Sequence, residues 1–160
     1  MVEHTDPFYK GIAATIKRAQ RQVIGVMPEK KLVGFAYTIG NHLKGAPELL
    51  ILGNLKAEAW VSILNRLSDC MVEIERPFAD GEIVDMGGKY GLQVWNTTLI
   101  AKLEYTRQAT EFYQHQEYTV QQVVVPDPQG RYPADKRCHR RYRVPLLCST
   151  VALMQQATLH

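Results

Sequence analysis

The order of elements in this chain implies an α+β fold: a single domain whose mostly antiparallel sheet packs against about three helices. Three observations carry that reading. Apolar residues recur every three or four positions near residues 8–19, 57–67 and 99–113, the spacing of helices with one buried face. Short runs rich in β-branched, aromatic and aliphatic residues lie between them. The elements follow one another irregularly, without the strict strand-helix alternation of a parallel sheet. With 160 residues, 46% hydrophobic and 22% charged, residues 1–160 suit one domain that needs neither a disulfide nor a metal to hold its core.

Asp6-Pro7 opens the first helix, because Asp accepts from free amides at a helix start and Pro fits the first helical position. Phe8, Ile12, Ile16 and Ala19 form its apolar face, to about Arg21. Residues 22–27 and 32–39 read as strands, and the short polar turn at Pro28-Glu29-Lys30-Lys31 makes them an antiparallel hairpin. Pro47 ends the loop that follows, and residues 48–52 are apolar after Glu48, as a strand covered on both faces would be. Asn54 is placed to cap a second helix running to about Cys70, with Trp60, Ile63, Leu64 and Leu67 facing the sheet.

Short strands are expected at 82–85 and 90–95. Thr97 or Thr98 then caps a third helix through Leu99, Leu103, Thr106, Thr110 and Tyr113. Residues 118–125 form a strong strand that Pro126 stops, and Asp127-Pro128-Gln129-Gly130 is a turn sequence. Residues 144–147 read as a last strand or a docking segment, and 149–160 as a short terminal helix or a frayed end.

The net charge of +3 is unevenly placed. Lys136, Arg137, Arg140, Arg141 and Arg143 are five of the 19 Lys and Arg residues, leaving 14 bases against 16 acids elsewhere. Such a stripe fits a small anionic ligand or an acidic protein partner. Nucleic acid is disfavoured, because its footprint needs broader positive charge. No apolar run is long enough to span a membrane, and the polar N-terminus lacks the pattern of a secretory signal, so a cytoplasmic location is expected. A homodimer is compatible with the sequence. Three cysteines at irregular spacing make no disulfide framework, and Cys138 reads as an unreactive surface thiol, although its basic neighbours favour the thiolate.

Motifs for known chemistry are missing. The five histidines form no zinc spacing, and the glycines make neither a phosphate loop nor a dinucleotide fingerprint. No metal and no cofactor is expected. Gly40-Asn41-His42 lies between two strands, a common place for a ligand, but a structural turn is the favoured reading. Glu48 can act as a general base, but more often such a carboxylate pairs with a base or caps backbone amides. Asp127 and Gly130 can bind a cation or a ribose, but Asp-Pro-Gln-Gly also explains itself as a turn.

Two stretches resemble a known bacterial family. The first is Tyr37-Thr38-Ile39-Gly40-Asn41-His42, continuing through Pro47-Glu48-Leu49 to Gly53. The second is Val123-Val124-Val125-Pro126-Asp127, then Gly130-Arg131-Tyr132-Pro133. Both are similar to the proteins catalogued as domain of unknown function 4262, and the resemblance covers about residues 10–150. Ala46, Val125 and Ala134 stand where that family carries His, Trp and Trp. The resemblance implies a shared fold and no established activity.

The candidate ligand residues are therefore Tyr37, Thr38, Gly40, Asn41, His42, Glu48, Asp127, Gly130 and Tyr132, with Lys136, Arg137, Arg140, Arg141 and Arg143 as an anion or partner patch. No residue is assigned a catalytic role. A binding module without catalysis of its own is favoured. The alternative is an enzyme for a phosphorylated or nucleotide-like substrate, using His42, Glu48, Asp127 and the arginines if the strands ending at Ile39 and Val125 bring their loops together.

Overall fold

Asp6 begins α1 (Pro7–Ala19) as its chemistry requires: its side chain accepts from the Phe8 amide. The computed structural model describes residues 3–31, 33–53 and 55–158. Helix α1 stops at Ala19, two residues earlier than the sequence implies. Gln20 adopts positive φ there and returns its amide to Ile16.

Strands β1 (Gln22–Val26) and β2 (Phe35–Ile39) pair antiparallel as the expected hairpin, and β3 (Glu48–Leu52) pairs antiparallel with β2. Helix α2 (Ala57–Ile74) runs four residues past Cys70. Asn54 lies outside the described residues, and the N-cap position belongs to Lys56, whose side chain makes no capping bond. Strands β4 (Ile83–Val84) and β5 (Leu92–Asn96) form an antiparallel pair.

The expected third helix is two helices. Thr98 caps α3 (Leu99–Tyr105), the chain bends at Thr106, and α4 (Arg107–Phe112) follows. Thr106 bonds back to the Lys102 carbonyl at 2.6 Å, and the Tyr118 hydroxyl lies 2.7 Å from the Thr106 hydroxyl and 3.1 Å from its carbonyl. A back-bonding Thr bends a helix, and Tyr118 holds the bend.

Strand β6 (Val120–Val124) is last in sequence but central in space. The sheet order is β1-β2-β3-β6-β5-β4, with β6 antiparallel to β5 but parallel to β3. The sheet is therefore mixed, not simply antiparallel. Helix α2 covers one face, where Trp60, Leu64, Leu67 and Met71 meet Ala36, Leu49, Ile51, Val94 and Val123. Helices α1 and α4 cover the other, where Ile12, Ala109 and Phe112 meet Tyr37, Ile39, Leu50 and Val120. Every residue of β3 and of β6 is buried, as a strand covered on both faces must be.

Residues 144–147 form no strand. Their backbone is held instead by the buried Gln122 side chain, which donates to the Pro145 carbonyl and accepts from the Leu147 amide. A side-chain amide offers the same donor and acceptor as a strand edge, so this segment docks without pairing. Helix α5 (Thr150–Thr158) follows, packing Ala152 and Leu153 near Trp95 and Val124.

Candidate functional site

Glu48 is the first residue of β3 and is completely buried. Its carboxylate faces five donors. The Thr38 hydroxyl and the Asn41 amide reach Oε1 at 2.8 and 3.1 Å. The Gly40 and His42 amides reach Oε2 at 3.1 and 3.0 Å, and the Tyr113 hydroxyl bonds to the same oxygen. Three of these donors are backbone N–H groups, which can only donate, so the cradle is shaped for an ionised acceptor. Burial pushes the Glu48 carboxyl up, against the pull of the bonds from Tyr113, His42, Thr38 and Gly40. Burial and the nearby carboxylate push the Tyr113 phenol up as well.

The local sequence explains the cradle. Gly40 has φ +131, and a Cβ there would lie 2.7 Å from the Gln20 carbonyl oxygen and 2.9 Å from Cα of Arg21, so only glycine turns the chain against the end of α1. Residues 41–44 then make one 3-10 turn that aims successive amides at Glu48. The buried Asn41 side chain donates to Ser68 at 2.8 Å and accepts from Arg21 Nε at 2.9 Å. Arg21 reaches on to Asp69 at 2.8 Å. Tyr37 is also fully buried, and its hydroxyl bonds to Gln108 on α4. Of this first group of candidates, Tyr37, Thr38, Gly40, Asn41 and Glu48 lock elements together, and the His42 ring alone is left to face a cleft.

Asp127 is a second buried carboxylate, also built into backbone. It accepts from the Gln129 and Arg131 amides through Oδ1 and from the His139 amide through Oδ2, each at 2.9 Å, and from Arg131 Nε at 3.3 Å. Burial pushes its pKa up, but the amides of Arg131, His139 and Gln129 and the Arg131 charge outweigh that and hold it below the usual range. Gly130 closes the turn at φ +81, where a Cβ would strike the Tyr90 ring. Tyr132 donates to the Gly91 carbonyl at 2.8 Å. The turn chemistry of Asp-Pro-Gln-Gly thus accounts for Asp127 and Gly130, and Tyr132 is committed to the Gly91 carbonyl.

The two loops do not meet. Glu48 is level with Val120, while Ile51 is level with Val123 and Ala36. Residues 40–48 therefore lie at the amino ends of β3 and β6, and residues 126–133 beyond their carboxyl ends. The composite site of His42, Glu48, Asp127 and the arginines is not assembled, because β6 runs parallel to β3 and so opposite to β2.

The basic stripe surrounds a different feature. Lys136, Arg137, Arg140, Arg141 and Arg143 are all exposed. Arg137 pairs with Asp135 at 3.2 Å. Arg143 donates to the Cys138 carbonyl at 3.1 Å and to the Lys136 carbonyl, fixing the curve of the segment. Lys136, Arg140 and Arg141 have no carboxylate partner among the described residues. Cys138 is buried, not a surface thiol, and burial together with the Asp127 charge pushes it up despite Arg143.

Arg141 and Tyr142 also form one wall of a cleft of about 410 Å³. Its floor is Leu52 and Gly53 at the carboxyl end of β3 and Val125 just past β6, with Leu55 and Val144 at the sides. In open sheets the carboxyl ends of parallel strands are where ligands sit. Among the described residues no group of three His, Cys, Asp or Glu side chains is placed to hold a metal, and no helix is long and apolar enough to cross a membrane.

A family model described as Domain of unknown function (DUF4262) matches residues 15–139. The chain belongs to this family. The DUF4262 match contains both carboxylate cradles and the floor of the cleft, and ends before Arg141, Tyr142 and Val144. No curated protein and no solved structure matches the chain. The motifs by which the DUF4262 resemblance is visible are thus the residues that pin the two ends of the sheet. Sequence reasoning missed Tyr113, Ser68 and Arg21, the distant partners of that pinning, and Gln122, which holds the backbone of Pro145 and Leu147. The one available signal was glutamine within the apolar run of β6, where a buried amide must find partners.

Proposed function

We propose that this protein binds a small organic anion in the cleft at the carboxyl ends of β3 and β6. The observation that carries the reading is Arg141, which has no carboxylate partner among the described residues and lines a cleft whose other side chains are mostly aliphatic. A pocket with apolar walls and few placed polar groups suits a ligand with an apolar body and one charged end. Arg141 takes a carboxylate or phosphate through two parallel N–H groups, and Leu52, Leu55, Val125 and Val144 cover the body. Asp127 and Arg143 hold the segment in place before the ligand arrives, so less ordering opposes binding.

Binding is favoured over catalysis because the two buried carboxylates are already committed to their own donors. Neither Glu48 nor Asp127 has a free face for a substrate proton. The test is calorimetry with aromatic carboxylates and nucleoside monophosphates, using the full chain, Arg141→Ala and Val125→Trp. Arg141→Ala removes the charge, and Val125→Trp fills the space. Both should lower affinity at least tenfold for any anion that the wild type binds. Equal affinity in all three proteins would exclude the cleft.

A further inference from the structure

The opposite end of the sheet holds a second cleft, of about 440 Å³, that shares no residue with the first. It is lined by His42, Ala46, Lys102, Glu117, Tyr118 and Thr119. We propose that it binds an amino-acid-like zwitterion, with the carboxylate on Lys102 and His42 and the ammonium on Glu117.

Lys102 comes from α3 and is half-buried. Its ammonium donates to the Tyr118 carbonyl at 2.7 Å and lies 4.5 Å from the centre of the Tyr118 ring. A lysine carries three donors, so two are left, and no carboxylate pairs with it among the described residues. The position of this charge is fixed by a carbonyl and a ring, neither of which neutralises it.

His42 is fixed in the same way. Its backbone amide is tied to Glu48, and its ring packs edge-on to Tyr113, with centroids 4.9 Å apart. The imidazole thus lines the same cleft as Lys102, and its ring nitrogens have no hydrogen-bond partner among the described residues. Glu117 is exposed, forms no ion pair within the described residues and adds one negative charge to the same rim.

A cleft with one cation, one imidazole and one carboxylate disfavours a polyanion and complements a ligand carrying both signs. Each end of such a ligand gains a charge-assisted hydrogen bond, which is about twice as strong as a neutral one. The buried Glu48 cradle keeps His42 in place, so the turn need not order on binding.

The test is two-dimensional NMR titration of the full chain with free amino acids, their N-acetyl derivatives and the matching amines, following His42 and the Thr119 amide. Free amino acids should shift these signals with at least tenfold higher affinity than either one-charge analogue. Glu117→Gln should remove that preference by weakening the free amino acid while leaving the N-acetyl form unchanged. Lys102→Met, which keeps the aliphatic stem, should weaken both. No shift with any free amino acid at millimolar concentration, or equal affinity for all three probe types, would overturn the proposal. These signals lie at the sheet end opposite Arg141, so the outcome is independent of the organic-anion cleft.

Discussion

Tyr113 donates its hydroxyl hydrogen to Oε2 of Glu48, joining the residue that ends α4 to the first residue of β3. The same hydroxyl accepts from the Gly40 amide at 2.8 Å. One phenol thus closes a ring of donors around a carboxylate with no water contact. Tyr113→Phe removes one of five donors and should cost about 1–2 kcal/mol in urea unfolding. Glu48→Ala strands all five and should cost on the order of 3–5 kcal/mol. Similar small losses for both would mean that the carboxylate is solvated and the ring is not formed.

Asp127 gives the protein a defined acid sensitivity. Its folded pKa lies below the unfolded value of about 3.9. The stability it contributes is therefore present above that unfolded value and is lost as pH falls through the lower folded value. The contribution declines as pH falls below about 4, and the amides of Gln129, Arg131 and His139 lose their charged acceptor only when the pH passes the lower folded value. Hydrogen exchange should show these amides opening before those of α2. Simultaneous opening of both regions would show that Asp127 does not hold the segment separately.

Leu64 is fully buried on the α2 face that packs against the sheet. Leu64→Ala should cost about 2–5 kcal/mol, the range for a large-to-small change in a packed core. A loss under about 0.5 kcal/mol in chemical denaturation would place that side chain on the surface.

The arginines of the basic stripe should separate into two classes. Arg143 bonds two backbone carbonyls, so Arg143→Ala should destabilise by about 1–2 kcal/mol. Arg140 makes no ion pair among the described residues, and Arg140→Ala should change stability by less than about 0.5 kcal/mol. Thermal unfolding of both variants checks the difference. If the stripe binds nucleic acid instead of a small anion, affinity for single-stranded oligonucleotides should fall steeply with salt, and a flat salt response would exclude that mode.

Much of the fold was legible because it is written in local pattern. The hairpin, the apolar run of β3 and the buried face of α2 each follow from residues close in sequence. The bend at Thr106 was not, since Tyr118, which holds it, lies beyond the helix. The position of β6 was not either, because five buried residues in a row fit any interior strand and name no neighbour. The candidate site was misread for the same reason. Glu48 and Asp127 border similar-looking loops, and only the parallel register of β3 and β6 reveals that these face opposite ends. The cleft at Arg141 had half a signal, the basic stripe, while its floor of Leu52, Gly53 and Val125 is ordinary strand sequence.

The central place of β6 also bears on how the chain is made. A ribosome adds roughly 5–20 residues per second, so β3 exists for several seconds before residues 120–124 are added. Through that interval the nascent chain carries β3 with one edge unpaired, and its five residues are all destined for burial. An apolar edge without its partner invites pairing with another chain. Ribosomes stalled between residues 60 and 115 should therefore release fragments that aggregate. Those stalled after residue 130 should release chains whose sheet has closed.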